Sequence, residues 1–137
     1  MLSIIICSYN RAGYITGALS SLYEGNASLQ DFEVIFVDNN SSDNSLQIAN
    51  EWRAAHPLGN FTITSETKQG ASYARNTGSK IAKGQWLCFM DDDAVAFPDF
   101  VQNILKHINT YPERVGFGGR IIPKYLPAEP NWMSYYV

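Results

Sequence analysis

Four short apolar runs, rich in β-branched and aromatic residues, alternate along this chain with longer segments whose apolar residues recur at helical spacing. The runs cover residues 3–7, 32–37, 61–65 and 86–90. Continuous apolar runs of this length are typical of strands covered on both faces, and a strand-helix-strand order is typical of parallel sheets. We therefore predict an α/β fold, a mostly parallel sheet with helices on both faces.

Helices are predicted between these runs. They cover residues 14–22, the segment from an N-cap at Ser42 to Trp52, the segment from Gly70 or Ala71 to Ala82, and the segment from Pro98 to near Tyr111. A further extended segment is expected at residues 115–122. The folded domain is predicted to span residues 1–123. The tail at 124–137 mixes prolines with aromatic residues and cannot easily pack alone, so we expect the fold to be incomplete at its C-terminus.

Composition narrows the function classes. The chain has 137 residues, 45% of them hydrophobic, and a net charge of −3, which fits one domain. An acidic chain without a basic stripe is a poor nucleic-acid binder, so no such partner is expected. Cys7 and Cys88 lie in apolar runs and are interpreted as small buried hydrophobes in a reducing compartment. We expect a cytoplasmic protein, with docking at the inner face of the membrane left open.

Three adjacent carboxylates, Asp91, Asp92 and Asp93, follow the last apolar run directly. Neighbouring negative charges repel one another more strongly as water is excluded, so a cation would compensate them at the end of a buried strand. Mg2+ and Mn2+ prefer hard oxygen ligands and often take only one or two protein carboxylates. The alternative is a solvated acidic turn that leads into the next helix.

Polar clusters follow three of the four predicted strands. They are residues 8–11, 38–43 and 91–93. The carboxyl ends of parallel strands form the crevice in which open α/β sheets bind ligands, so these clusters are expected along one edge. Tyr9 would present an aromatic surface to a nucleobase there. The alternative for residues 38–43 is an ordinary turn and helix N-cap, and Tyr9 would then be a half-buried ring.

Four motifs, in this order, closely resemble those of the family 2 glycosyltransferases. They are SIIICSYN at residues 3–10, VDNNSSD at 37–43, GASYARNTG at 70–78 and AKGQWLCFMDDD at 82–93. The resemblance extends to Pro123 and includes the glycine pair Gly118 and Gly119. It implies the Rossmann-like GT-A fold, a nucleotide-diphosphate sugar as donor and a divalent metal, Mn2+ or Mg2+. The chain would hold mainly the donor site, with residues 124–137 starting an acceptor-binding part.

The resemblance also implies roles for individual residues. Asp93 would ligate the metal, Asp91 would support it, and Asp92 would approach the ribose or the sugar. The implied nucleotide-sugar-binding residues are Ser8, Tyr9, Asn10, Arg11, Asp38, Asn39, Arg75, Asn76, Asp91 and Asp92. The planar guanidinium of Arg75 suits either a carboxylate or a phosphate, and the alternative is a surface salt bridge.

Two departures from the family pattern bear on function. Asn39 stands where many members have a second acidic residue that accepts a base N–H, so we expect Asn39 to pair with a different base edge. An inverting transfer also needs a general base, and Glu129 is the one acidic residue after Gly119. The expected function is transfer of a sugar to a hydroxyl of an unknown sugar, lipid-linked or protein acceptor. The alternatives are a nucleotide-sugar-binding module without turnover and phosphoryl transfer by an aspartate nucleophile.

Overall fold

The computed structural model describes residues 1–57 and 59–124, which form four parallel strands and four helices. The strands are β1 (Leu2–Ser8), β2 (Phe32–Asp38), β3 (Phe61–Ser65) and β4 (Trp86–Asp91), and the helices are α1 (Ala12–Tyr23), α2 (Ser45–Ala55), α3 (Ala71–Ile81) and α4 (Phe100–Thr110). The strands lie side by side in the order β3-β2-β1-β4. The predicted α/β class is confirmed.

Helices cover both faces of the sheet, as the sequence predicts. On one face α1, α2 and α4 build the larger core, in which Leu19 packs with Phe36. On the other face α3 packs Ala74 against Ile5 and Val37. Because β1 is central and covered on both faces, its sequence is an unbroken apolar run.

The strand register brings the carboxyl ends of the strands to one edge. Ser8 at the end of β1 is opposite Asp38 at the end of β2, and Asp38 is in turn opposite Ser65 of β3. On the other side of β1, Cys7 is opposite Asp91 at the end of β4. The polar segments that follow these strands therefore leave the sheet at the same edge, which we call the carboxyl edge.

The prediction that β4 is a buried strand is wrong. Leu87 and Phe89 are 42% and 48% exposed, whereas Met90, which points to the opposite face, is buried. β4 is an edge strand among the described residues, and α3 packs mainly over β1 and β2. The described residues thus leave one face of β4 uncovered, although the sequence of β4 is as apolar as that of a central strand.

Three local predictions also differ from the structure. The helix expected after an N-cap at Ser42 begins at Ser45, and the Ser42 N–H instead donates to Asn10 Oδ1 at 2.8 Å. α4 begins at Phe100, after Pro98 and an N-cap position at Asp99. The extended segment expected at residues 115–122 contains no strand, and Val115 is fully exposed.

A buried carboxylate closes the opposite, amino edge of the sheet. Glu33 is 5% exposed, and its Oε1 accepts hydrogen bonds from Ser3 Oγ and from the Lys83 N–H, both at 2.6 Å. Ser3 Oγ in turn accepts the Gly84 N–H at 2.8 Å. This network, which we call the amino-edge latch, joins β1, β2 and the connection between α3 and β4.

Both cysteines are free thiols and half-buried. Burial raises the pKa of Cys7 and of Cys88 to about 11 in each case, so both thiols are protonated at neutral pH. Their surroundings match the interpretation of small hydrophobic residues.

The predicted tail falls, from residue 125 onward, outside the described residues, and so does Glu129. Within the described part of the chain, no helix has both the length and the apolar character needed to cross a membrane.

Two glycine-to-alanine substitutions test the packing of α3 on the sheet. A Cβ on Gly78 would lie 2.5 Å from Ile5 Cγ2 and 3.2 Å from Val37 Cγ2, whereas a Cβ on Gly17 in α1 would meet nothing within 4 Å. We expect Gly78→Ala to lower the free energy of unfolding by about 1–3 kcal/mol through overpacking. Gly17→Ala should raise it by about 0.5–1 kcal/mol because alanine favours helix. Urea denaturation measures both, and equal effects would contradict the close contact.

Candidate functional site

Two buried polar side chains at the carboxyl edge have atoms without hydrogen-bond partners. Ser8 and Asp38 are 2% and 3% exposed and stand opposite each other in the β1–β2 register. Asp38 Oδ2 accepts the Ser41 N–H at 3.2 Å, but Asp38 Oδ1 and Ser8 Oγ find no well-aligned partner within the described chain. Buried polar atoms are nearly always hydrogen-bonded, so these two atoms define a candidate place for a polar ligand.

The three aspartates after β4 have different environments. Asp91 and Asp93 are exposed, whereas Asp92 is 9% exposed. Burial raises the pKa of Asp92, and the negative charge of Asp93 acts in the same direction. The nearby Ser8 hydroxyl and the Arg11 guanidinium partly oppose this rise. The cluster is therefore neither a wholly solvated turn nor a wholly buried one.

The described residues contain no group of three or more His, Cys, Asp and Glu side chains arranged to hold a metal ion. Two exposed carboxylates, Asp91 and Asp93, nevertheless supply the hard oxygen donors that Mg2+ and Mn2+ prefer. Mg2+ commonly takes one or two carboxylates and fills its remaining positions with water and phosphate oxygens. This donor set thus fits a cation that arrives with a phosphorylated ligand.

A cavity of about 130 Å³ lies beside this cluster, between α3 and the ends of β1 and β4. Cys7, Arg75, Phe89 and Asp91 are among the residues that line it. The Arg75 guanidinium carbon is 5.9 Å from the centroid of the Phe89 ring, within cation–π range. The cavity is therefore lined by the positively charged guanidinium of Arg75 and by the carboxylate of Asp91. Asn76, the next residue of α3, is exposed.

Tyr9 and Arg11 follow β1 on the outside of this edge. Tyr9 is 47% exposed, so one side of its ring is accessible to a stacking partner. The Arg11 guanidinium carbon is 5.7 Å from the Tyr14 ring centroid, and its charge acts on Asp92. Both residues are placed where the sequence predicts them.

Asn10 joins the loop after β1 to the loop after β2. It adopts a left-handed backbone conformation with φ of 53°. Its Oδ1 accepts the N–H groups of Ser42 at 2.8 Å and Asp43 at 3.2 Å. The carboxamide oxygen is therefore used within the protein, and the predicted role of Asn10 in ligand binding is accompanied by a clear role in loop structure.

Asp43 caps two helices at once, which the sequence analysis missed. Its Oδ2 accepts the N–H of Ala12, the first residue of α1, at 3.2 Å, and its Oδ1 accepts the N–H of Ser45, the first residue of α2, at 2.9 Å. Hydrogen bonding from Ser45 lowers the pKa of Asp43. The position of Asp43, two residues before α2, could have indicated the bond to Ser45. The bond to Ala12, which is 31 residues away, has no local signal in the sequence.

The expectation that the Asn39 side chain pairs with a base edge is not favoured by the structure. Asn39 is 5% exposed, and its Nδ2 donates to the carbonyl oxygens of Glu66 at 3.0 Å and Lys68 at 2.7 Å. Its Oδ1 accepts the Gly70 N–H at 2.8 Å. Both donors of the carboxamide are thus committed to residues 66–70, the β3–α3 loop.

The chain has an open parallel sheet covered by helices, and α/β proteins of this class bind their ligands in the crevice at the carboxyl edge. Within the class, the chain belongs to glycosyl transferase family 2, whose family model matches residues 3–135. The resemblance found in the sequence motifs is confirmed.

Curated relatives carry the same family character. An uncharacterized glycosyltransferase of Haemophilus influenzae is 38% identical over 112 residues, which are 82% of this chain and 36% of the relative. The poly(ribitol-phosphate) beta-glucosyltransferase of Bacillus spizizenii is 31% identical in an alignment of 143 positions, gaps included, which covers 95% of this chain and 22% of that protein. The chain therefore spans well under half the length of these two relatives.

Solved structures confirm the predicted GT-A type of fold. S. aureus TarS 1-349 in complex with UDP-GlcNAc superposes with a TM-score of 0.74 at 28% identity, over 90% of this chain and 37% of that one. The mannosyltransferase PcManGT from Pyrobaculum calidifontis, in complex with GDP-Man and Mn2+, has a TM-score of 0.74 at 29% identity, over 78% of this chain and 32% of that one. Both similarities agree with the family assignment.

The buried environment of Asp92 predicts a pH-dependent stability. Its pKa is raised in the fold, so its contribution to stability is fully present below the ordinary aspartate pKa of about 3.9 and is lost as pH rises through the raised value. We expect Asp92→Asn, which resembles the protonated form, to unfold at a higher temperature than the parent at pH 7. The difference should shrink towards acid. Asp31→Asn, which removes an exposed carboxylate, is the matched control. A difference that does not vary with pH would refute this explanation.

Proposed function

We propose that this chain is the donor-binding part of an inverting, metal-dependent glycosyltransferase, which moves a sugar from a nucleotide diphosphate to an acceptor hydroxyl. The observation that carries the proposal is Asp38 Oδ1, a buried atom at the carboxyl edge that has no hydrogen-bond partner among the described residues and lies next to the buried Ser8 in the β1–β2 register. Ser8 and Asp38 both lie in motifs of family 2, and the Ser8 hydroxyl is near Asp92. Relatives of this fold bind UDP-GlcNAc and GDP-Man, which supports a nucleotide-sugar donor.

Ser8, Tyr9 and Asp38 form the nucleoside end of the proposed site. Asp38 Oδ1 is an acceptor for a ribose hydroxyl or a base N–H, and the Ser8 hydroxyl serves as donor or acceptor beside it. The exposed ring of Tyr9 offers a face on which the base stacks. Asn10 and Arg11, in the same loop as Tyr9, connect this end to the segment after β2: Asn10 Oδ1 accepts the N–H groups of Ser42 and Asp43, and the Arg11 N–H donates to Ser45 Oγ at 3.0 Å.

Asp91, Asp92, Asp93 and Arg75 form the diphosphate end. Asp91 and Asp93 are the residues that would hold Mn2+ or Mg2+, and the bound cation would neutralise charge on the leaving diphosphate. Asp92, whose carboxyl lies near Ser8 and Arg11, would accept a hydrogen bond from a hydroxyl of the ribose or of the sugar. Arg75 lies across the cavity from the cluster, with Asn76 exposed beside it, and its guanidinium stabilises phosphate oxygens as negative charge develops on them.

The general base is assigned to a part of the protein other than these residues. It must lie within hydrogen-bond reach of the acceptor hydroxyl, and Glu129 is the one carboxylate that follows Gly119 in the sequence. The second candidate function is a nucleotide-sugar-binding module without turnover. It is favoured by the lack of a general base among the residues of the proposed site. Phosphoryl transfer by an aspartate nucleophile is not favoured, because it leaves the residues of the nucleoside end unexplained.

The acceptor and the cellular location complete the proposal. We propose an acceptor hydroxyl on a sugar, a lipid-linked saccharide or a protein, and a cytoplasmic location with contact at the inner face of the membrane. The relatives' names include a transferase acting on dolichyl-linked sugar phosphate and one acting on poly(ribitol-phosphate), which supports a large or lipid-linked acceptor.

Calorimetry tests the proposal directly. UDP, GDP, dTDP and their sugars are titrated into the protein with Mn2+ and with a chelator. Saturable binding of at least one nucleotide diphosphate is expected. If none of these compounds binds under either condition, the proposed function is wrong.

Nucleotide and metal are expected to bind cooperatively, since Asp91 and Asp93 supply too few oxygens to fill a cation's coordination shell and phosphate oxygens complete it. Asp93→Ala and Asp93→Asn should both reduce the gain in nucleotide affinity that Mn2+ gives by about tenfold or more. Asp31→Ala, which removes an exposed carboxylate elsewhere, should leave that gain intact. Unchanged metal dependence in both Asp93 variants would instead identify the cluster as a solvated turn.

The 137-residue chain is expected to bind donor without transferring the sugar to an acceptor. General-base assistance contributes about 10²–10⁴ in rate, and the described residues offer no carboxylate after Gly119. Slow hydrolysis of the donor by water should persist. Acceptor glycosylation is compared between this chain and a longer chain that continues past Val137. Comparable turnover would show that a residue already present, with Glu129 and Asp99 the first to mutate, is the base.

A further inference from the structure

We propose that Asn39 is a positioning residue of the donor site, which acts by holding the β3–α3 loop and the start of α3 so that Arg75 faces Asp91. It does not read the nucleobase. The inference rests on the proposed function, because Arg75 is assigned there to the diphosphate. It goes beyond that proposal because it gives Asn39 a role in positioning the diphosphate end of the site, in place of recognition of the base.

The hydrogen bonds of Asn39 bridge β2 to a loop about 30 residues further along the chain. The backbone N–H of Asn39 donates to the Ser8 carbonyl at 2.8 Å, which continues the β1–β2 ladder. The side chain contributes three bonds to the loop, two through Nδ2 to the carbonyls of Glu66 and Lys68 and one through Oδ1 from the Gly70 N–H. The pairing of β2 with β3 ends at Asp38 and Ser65. Beyond that point the buried carboxamide of Asn39 supplies the hydrogen bonds between the two segments.

The last of these bonds acts on the beginning of α3. Gly70 is the N-cap residue of α3 and has a φ of 137°, a conformation that L side chains rarely adopt. Its carbonyl accepts the N–H groups of Tyr73 at 2.9 Å and Ala74 at 3.2 Å. The direction in which α3 leaves the loop is therefore determined at Gly70, whose N–H is held by Asn39.

Close packing transmits this position to Arg75. Ala74 is buried against the sheet and Gly78 lies so near Ile5 that an added Cβ would be 2.5 Å from its Cγ2. Arg75 is five residues after Gly70 in the same continuous helix, so a change in the position of the first turn of α3 would move Arg75 as well. Arg75 and Asp91 line the same cavity of about 130 Å³, so a shift at Gly70 changes the distance between them.

Asparagine suits this position better than the acidic residue that many family members have there. A carboxylate accepts the Gly70 N–H equally well but has no N–H to donate. Asn39→Asp would place a negative charge against the carbonyl oxygens of Glu66 and Lys68, in a residue that is 5% exposed. The substitution is nearly isosteric, so it removes the two donors without leaving a cavity.

The test measures nucleotide-diphosphate binding to Asn39→Asp by calorimetry, with Mn2+ present. We expect the affinities for UDP, GDP and dTDP to fall by a common factor of about ten, with their ranking unchanged. Backbone amide exchange in residues 66–74 should become faster. Asn40→Asp is the matched control, since it makes the same chemical change at the next, exposed residue, whose φ of 62° aspartate tolerates.

A double-mutant cycle with Arg75→Met separates positioning from simple destabilisation. In the Arg75→Met background, Asn39→Asp should reduce affinity by less than about twofold, because the group that Asn39 positions is gone. A loss that stays tenfold in this background, or a changed ranking of the nucleotides, would overturn the inference. If Asn39→Asp does not fold, Asn39→Ala replaces it. A parent protein that binds none of the nucleotides refutes the proposed function itself, which is a different outcome from binding with a changed ranking.

Discussion

The pairing of β1 with both of its neighbours is the interaction on which the rest of the structure depends. β1 lies between β2 and β4, and its register brings Ser8 opposite Asp38 and Cys7 opposite Asp91. A slip of one residue would separate the polar groups that now meet and would break the buried hydrogen bond from Ser3 to Glu33. That bond and the close packing of side chains of different size on the two faces of β1 oppose such a slip, so the core fixes the geometry of the site.

Asparagine side chains extend this order beyond the ends of the strands. Asn10 holds the loop after β2, and Asn39 holds the loop after β3, each through a carboxamide that bonds to backbone groups about 30 residues away. Three successive loops are thereby tied into one rigid edge. A site built in this way is preorganised, because its loops need little ordering when a ligand arrives. The polar atoms that have no partner among the described residues are then available to the ligand that we propose.

The sequence predicts the sheet well and the details of its edge poorly. β3 occupies the residues predicted for it, because a short alternating run bounded by turn residues depends mainly on local sequence. The exposure of Phe89 could not be predicted, since it depends on which elements happen to cover β4. The cap supplied by Asp43 and the loop bonds of Asn39 were also missed, because their partners are distant in sequence. The residue types in the motifs indicate where the candidate site lies. The role of each residue depends on contacts with residues that are distant in the sequence.

The two ends of β2 show why function lies at one edge of this sheet. Glu33 at the amino edge and Asp38 at the carboxyl edge are buried carboxylates on the same strand. Glu33 Oε1 accepts two hydrogen bonds from the amino-edge latch, so this end is completed by the protein itself. Asp38 Oδ1 has no such partner in the described chain, and Asp92 nearby is held in a setting that disfavours its charge. Burying a polar group without a hydrogen-bond partner costs free energy. The fold supplies the partners of Glu33, so the lack of a partner for Asp38 Oδ1 is not a general limit of this sheet. The incomplete end is therefore best explained as the place where a ligand supplies the missing hydrogen bonds and charge.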